Sequence, residues 1–209
     1  MEKLLLIGAG GYAKSVIDAV DYFNYKIEGF IDEFSTEESH LGFPIVANSL
    51  ESVEDAHKYV YFVCIGNNER RKIWYERLCR LNLRMINVVD HSAIVSSHAV
   101  VGNGNFIGKM AVINSGSIIG SNCIINTKSL VEHGCTLGDH VNLSTNAVVN
   151  GDVVVGDGSF IGSSSVTVGQ IVIGKWAVVG AGTVVIRNVG DGETVVGVPA
   201  RVIKKEECL

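Results

Sequence analysis

The chain has 209 residues, 47% of them hydrophobic, with 24 Gly, two Pro and a formal net charge of −5. That length suits one large domain or two small ones, and the apolar content is enough for a real core. The acidic balance argues against a general nucleic-acid or membrane-surface binder, so an anionic ligand would need a local basic patch.

In chain order, Lys3–Ile7 runs straight into a Gly-rich turn and reads as a strand rather than a secretory signal. No apolar run reaches the length of a membrane span. Cysteines 64, 79, 123, 135 and 208 are odd in number and lack C-x-x-C spacing, which predicts a reduced, cytoplasmic protein. After Gly8-Ala9-Gly10-Gly11-Tyr12-Ala13, residues 13–22 read as a helix. A strand over 27–31 ends at Asp32, and a third over 60–65 leads into Gly66-Asn67-Asn68. A helix over 69–81 and a last strand over 85–89 complete this part. Strands alternating with helices imply a parallel sheet in an α/β, Rossmann-like half domain.

The first turn approaches a dinucleotide fingerprint, with Gly8, Gly10 and Ala13 in the three key places. Bare backbone N–H groups at Gly10 and Gly11 can face a phosphate at the helix start. Asp32 stands about where a ribose-binding acid would, and Asp32, Gly66 and Asn67 all follow carboxyl ends of strands, the edge where open α/β sheets bind ligands. About ninety residues hold only one mononucleotide half, so the predicted ligand is a nucleotide joined to something else. A nicotinamide cofactor and a ligand-free tight turn stay open at this point.

From Ala93 to Asn188 the chain repeats every six residues. The third place of each unit runs from Val95, Val101 and Ile107 to Val179 and Val185, aliphatic in fifteen of sixteen units with Thr167 the exception. A helix would place apolar residues every three or four positions and a hairpin sheet every two, so a period of six predicts a triangular β-solenoid. Three units make a coil, residues eighteen apart stack, and five or so coils follow. Small residues at the first place fit a narrow interior. Gly at the fourth place, as in Gly102, Gly120 and Gly162, is expected to supply a corner conformation.

The two parts together resemble the bacterial sugar acetyltransferases of the NeuD/PglD type. The resemblance rests on Gly8-Ala9-Gly10-Gly11, Ile65-Gly66-Asn67-Asn68-Glu69-Arg70, residues 126 through 133, and Gly197-Val198-Pro199-Ala200. It implies a nucleotide-sugar-binding domain over 1–90 and a left-handed parallel β-helix with a C-terminal cap over 91–209. It also implies acetyl-CoA as co-substrate, a homotrimer, and His133 as general base. Where the family often has an acid after that His, this chain has Gly134; where it often has a second His, the chain has Asn142.

Stacking also draws attention to His133, although by spacing alone an exposed corner residue without a catalytic role is the reading it favours. It is the fifth residue of its unit, at a corner, and Gly151 lies eighteen residues on. A base to take a proton and a backbone N–H to meet a developing oxyanion are what acyl transfer from a thioester needs. Imidazole suits the first task, with a reference pKa of about 6.5. Another corner column holds Thr145, Ser163 and Ala181, with Gly162 and Gly180 beside it, and the resemblance implies coenzyme A along such a groove. Lys175, Arg187, Arg201, Lys204 and Lys205 are the cations near that end. The resemblance also makes Asn126 a candidate for sugar contact. No His has another His eighteen residues away, so no metal site is expected. The expected activity is N-acetylation of a nucleotide-linked, UDP-type amino sugar. Sialic-acid O-acetylation and a non-catalytic nucleotide-sugar binder or scaffold are the alternatives.

Overall fold

The structure, a computed structural model, describes residues 1–205, so Cys208 lies outside the described residues. The N-terminal part is a five-stranded sheet. Its strands are β1 (Glu2–Ile7), β2 (Tyr25–Ile31), β3 (Ser39–His40), β4 (Phe43–Ala47) and β5 (Tyr59–Val63), in the order β3-β4-β2-β1-β5. All neighbours are parallel except β3 and β4. Helix α1 (Tyr12–Ala19) covers one face through Ala13 and Val16, against Leu4, Leu6, Phe30 and Phe62. Helix α2 (Asn68–Arg80) covers the other through Trp74 and Leu78, against Leu5, Ile7, Tyr61 and Val63. The alternation of Leu4 to Ile7 between two cores is why that run has no polar side.

Two readings of this part need correction. The expected last strand over 85–89 is divided: Met85 makes a single parallel bridge to Tyr61, while β6 (Val88–Val89) pairs with Phe106–Ile107 as the first rung of the solenoid. The second is an omission: β3 and β4 pair between the strand that ends at Asp32 and the one over 60–65, where the sequence reading gives no element. Pro44 occupies β4, and Gly42 turns between the two strands at a φ of 81°.

The solenoid has three faces. The first stacks six strands from Ile94–Val95 to Val184–Val185, the second five from Val100–Val101 to Val172–Ile173. The third stacks eight, from Val88–Val89 through Asn142–Leu143 to Glu193–Val196 and Arg201–Lys205. Pairing is eighteen residues apart, as in Ile113 with Val131 and Val131 with Val149. From Ile107 to Val185 the third-place side chains are at most 1% exposed. Val95 and Val89 are open because no coil lies beneath them, as stacking requires of an end.

The corner glycines act differently from the expectation. The left-handed backbone falls at the sixth place of the units from Gly104 to Gly182, at Gly116, Gly134 and Gly158 but also at Asn122, Asp152 and Trp176. The fourth-place glycines have no positive φ. They are needed because coils approach closely: a Cβ on Gly120 would lie 2.7 Å from the Gly138 carbonyl carbon, and one on Gly162 2.6 Å from the Ala181 nitrogen.

The N-terminal part docks on the third face. Phe106 and Ile124 project from that face into the core beneath α1, and Tyr12 meets Phe106 edge-on with ring centroids 5.4 Å apart. Arg71, 1% exposed, rivets the junction. It donates to the carbonyls of Asn122 at 2.9 Å and His140 at 2.8 Å in the solenoid. It also donates to Gly66 O at 3.1 Å and Asn68 Oδ1 at 3.0 Å on its own side. Asn68 Nδ2 adds a bond to Gly158 O at 2.9 Å.

Candidate active site

The site has two separated halves. The first is a cavity of about 520 Å³ at the carboxyl edge of the N-terminal sheet. Gly10, Gly11, Asp32 and Gly66 line it together, with apolar walls from Ile7, Ile31, Phe34, Ile73 and Trp74. A Cβ on Gly10, Gly11 or Gly66 would meet nothing within 4 Å, so the space above these residues is open. No acceptor among the described residues takes the N–H of Gly10 or Gly11, at the positive end of α1. These are the conditions for holding phosphate.

Asp32 does more than face the cavity. Its Oδ2 accepts the Ala9 N–H at 2.7 Å and its Oδ1 accepts the N–H groups of Phe34 and Ser35 at 2.9 Å. The carboxylate thus ties the Gly-rich turn to the loop after β2. Asn67 is not among the lining residues; its Oδ1 caps α2 by accepting the Arg70 N–H at 2.9 Å. Arg70 stands 5.7 Å over the Phe34 ring at the rim. The sequence reading missed Arg70, Ile73 and Trp74. Their i, i+3, i+4 spacing on the helix after the third strand was the available signal. The Tyr12 hydroxyl, also at the cavity, has no partner among the described residues, and burial holds its pKa well above the ordinary value.

The second half is the corner between the first and second solenoid faces. The His133 imidazole is exposed there and lies against the backbone of Gly151. A Cβ on Gly151 would be 2.6 Å from His133 Cε1 and 2.8 Å from Nε2. The Gly151 carbonyl accepts the Gln170 N–H at 2.9 Å, while its own N–H has no partner among the described residues. Asp152 Oδ1 is 4.0 Å from His133 Nδ1. Glu132 Oε2 accepts the backbone N–H of His133 at 3.3 Å.

The remaining sequence candidates lie elsewhere. Asn126 is at the corner between the third and first faces, where its Oδ1 accepts the Thr127 N–H at 2.8 Å. Ser163 and Ala181 are exposed in that corner column, whereas Gly162 is buried and Gly180 half-buried. Gly162 and Gly180 spend their N–H groups in the ladder, on Val179 O and Val195 O. Asn142 projects from the third face between Ile124 and Phe160, and its Oδ1 is buried without a partner among the described residues. Among the described residues no cluster of His, Cys, Asp and Glu is placed to hold a metal, and no helix is long and apolar enough to cross a membrane.

Comparison with known proteins gives a consistent result. Residues 3–78 match the family model described as the PglD N-terminal domain. The acetyltransferase domain of PglB from Neisseria gonorrhoeae FA1090, solved with acetyl coenzyme A, is 32% identical. It superposes with a TM-score of 0.92 over 97% of this chain and 99% of that one. A variant of perosamine N-acetyltransferase from Caulobacter crescentus, solved with CoA and GDP-perosamine, is 30% identical with a TM-score of 0.89 over 97% of both chains. WeeI from Acinetobacter baumannii AYE is 27% identical with a TM-score of 0.89 over 96% of this chain and 99% of that one. A curated relative, the uncharacterized protein L142 of Acanthamoeba polyphaga mimivirus, is 32% identical over 108 residues, and the match covers 20% of its length. The solenoid is the left-handed parallel β-helix of hexapeptide-repeat proteins.

Proposed function

Because the chain belongs to the NeuD/PglD-type family of bacterial sugar acetyltransferases, we propose that it is an acetyl-CoA-dependent N-acetyltransferase. Its substrate on this reading is the amino group of a nucleotide-linked amino sugar, with His133 as general base. The observation that carries the proposal is the His133 imidazole set against Gly151, whose N–H is unengaged. The sugar amine attacks the thioester carbonyl and forms the C–N bond. His133 takes the amine proton, the Gly151 N–H meets the oxyanion, and the C–S bond breaks to release CoA as thiolate or thiol.

The nucleotide belongs in the cavity beside Gly10, Gly11, Asp32 and Gly66, with Asn67 holding the start of α2 and Asn126 reserved for the sugar. The pantetheine and nucleotide of CoA belong along the corner of Gly162, Ser163, Gly180 and Ala181. The reading carried here is a UDP-linked sugar. The GDP-perosamine in the Caulobacter structure makes a guanine nucleotide its direct competitor. Cys64, Cys79, Cys123 and Cys135 are free thiols, which fits the cytoplasmic location we assign to it.

The two halves of the site lie on different sides of the prism. The N-terminal part sits on the third face, and His133 is at the opposite corner. A homotrimer would let the cavity of one chain serve the His133 of another. Outward aliphatic residues on the second face support such packing, with Val100, Ile118, Val154 and Val172 all 43–62% exposed.

A panel of UDP- and GDP-linked amino sugars, incubated with acetyl-CoA and followed by free thiol release, tests the proposal. The expected result is turnover of one nucleotide class and an acetamido product by mass and NMR. Tight nucleotide-sugar binding without thiol release would overturn catalysis, and an ester product would overturn N-acetylation.

A further inference from the structure

We propose that Asp152 is the positioning carboxylate of the catalytic corner, reaching the His133 imidazole from the next coil through the space that Gly134 leaves empty. The inference rests on the acetyltransferase reading of His133 above. Asp152 Oδ1 stands 4.0 Å from His133 Nδ1, so a side-chain rotation is needed to bring the two into a hydrogen bond. Gly134, eighteen residues before Asp152, makes this approach possible: any Cβ there would overlap Asp152 Oδ1. Gly134 and Asp152 share the left-handed corner backbone, with φ of 67° and 59°. They are therefore stacked copies of one position, one supplying the gap and the other the side chain that fills it.

The surrounding residues leave this role to Asp152. Glu132, the other acid at the corner, is tied to the His133 main chain through its Oε2. The stacked neighbours Ser115 and Gly116 before, and Gly169 and Gln170 after, carry no charge. With Asp152 at the Nδ1 side, the ring proton belongs on Nδ1 and the Nε2 lone pair is left for the incoming amine. After proton transfer the carboxylate faces an imidazolium. In the free chain both side chains are more than half exposed, at 66% and 53%, so solvent screens the pair. A substrate or neighbouring chain seated over the corner excludes that water and strengthens the interaction.

The test uses the full-length protein with Asp152→Ala, Asp152→Gly and the exchange Gly134→Asp/Asp152→Gly. Long-range 1H–15N spectra of His133 report its tautomer without any need for turnover. The wild type should hold the proton on Nδ1, and Asp152→Ala should move His133 toward the Nε2–H form that free imidazole favours. Turnover should fall about tenfold or more, part of the factor a general base supplies, with KM for both substrates unchanged. The exchange should restore most of the rate, while Asp152→Gly alone should not. An unchanged His133 tautomer in Asp152→Ala overturns the proposal whether or not a substrate is known. So does an unchanged kcat where the wild type turns over. A wild type that releases no thiol with any amino sugar, yet shows the tautomer shift, would count against the acetyltransferase reading alone.

Discussion

The imidazole of His133 rests on the Cα of Gly151, and the two residues are eighteen apart because one coil of the solenoid is eighteen residues long. Gly151 has no positive φ, so its lack of a side chain serves the ring alone. Gly151→Ala should therefore fold normally, since alanine accepts that backbone, but its methyl would push the imidazole off the corner. The expected result is an unchanged melting temperature with turnover reduced roughly 10- to 10²-fold, less than loss of the base itself. In a His133→Ala background the same change should cost almost nothing, because the displaced group is gone. Additive losses in the double variant would argue that Gly151 acts independently of the ring.

His133→Ala itself should lower turnover by about 10²–10⁴, the usual contribution of a general base. Calorimetric binding of nucleotide sugar and of CoA should be unaffected, because an exposed corner side chain carries neither the cavity nor the groove. A rate within a few-fold of wild type at saturating substrates would make His133 an ordinary corner residue.

Much of this is legible in the sequence, because a period of six fixes both which residues face inward and which stack. Ile113, Val131 and Val149 fall into one column by arithmetic, as do His133 and Gly151. What depends on side-chain direction or on docking is not. Asp152 reads as a surface corner residue until its carboxylate is seen over Gly134. Phe106 and Asn142 occupy outward places like any other, and only the seating of the N-terminal part buries them. Asn67 and Asn68 belong to one motif, yet the first caps a helix and the second crosses to the solenoid. Periodicity says nothing about contacts between non-repeating parts, which is why the interdomain rivet was missed.

That rivet gives a stability prediction. Arg71 is buried with no carboxylate partner among the described residues, and desolvation pulls its pKa below the ordinary arginine value. The carbonyls of Asn122 and His140 depend on it. Arg71→Met keeps most of the apolar stem but leaves those acceptors unmet. A loss of about 1–3 kcal/mol in urea unfolding is expected, the scale for leaving a buried acceptor unsatisfied. Limited proteolysis should release the N-terminal part faster than in the wild type. A midpoint unchanged from wild type would mean that the junction is held by its other contacts, Asn68 with Gly158 and the packing of Phe106 and Ile124.

A pH effect follows from His140 at the same junction. Burial is the main cause lowering its pKa below the ordinary 6.5, with Arg71 and Lys72 adding to it while Asp139 and Glu76 oppose. The folded state therefore binds a proton less readily than the unfolded chain. Its stabilising contribution is complete above the unfolded value and is lost as pH falls through that value toward the folded one. Stability should decline from pH 7 to pH 5, and His140→Asn should flatten that decline, since asparagine tolerates the left-handed backbone found there. Identical slopes for the two proteins between pH 7 and 5 would exclude His140 as the source.

The position of the cavity relative to His133 leads to the last prediction. Arg71, Asn68 and Tyr12 fasten the N-terminal part to the third face and its neighbouring corner, while His133 stands where the first face meets the second. A ligand held beside Gly10 and Asp32 is thus on the far side of its own prism from its own His133. Sedimentation equilibrium should give a trimer mass. Gly10→Trp should close the cavity without disturbing the fold, because a side chain at Gly10 has open space and an ordinary backbone. Gly10→Trp and His133→Ala trimers should each be nearly inactive. Unfolding and refolding them together should recover activity through sites that combine an intact cavity from one chain with an intact base from the next. A fully active monomer would defeat the shared site outright. Mixed trimers verified by mass but no more active than their parents would place cavity and base in the same chain.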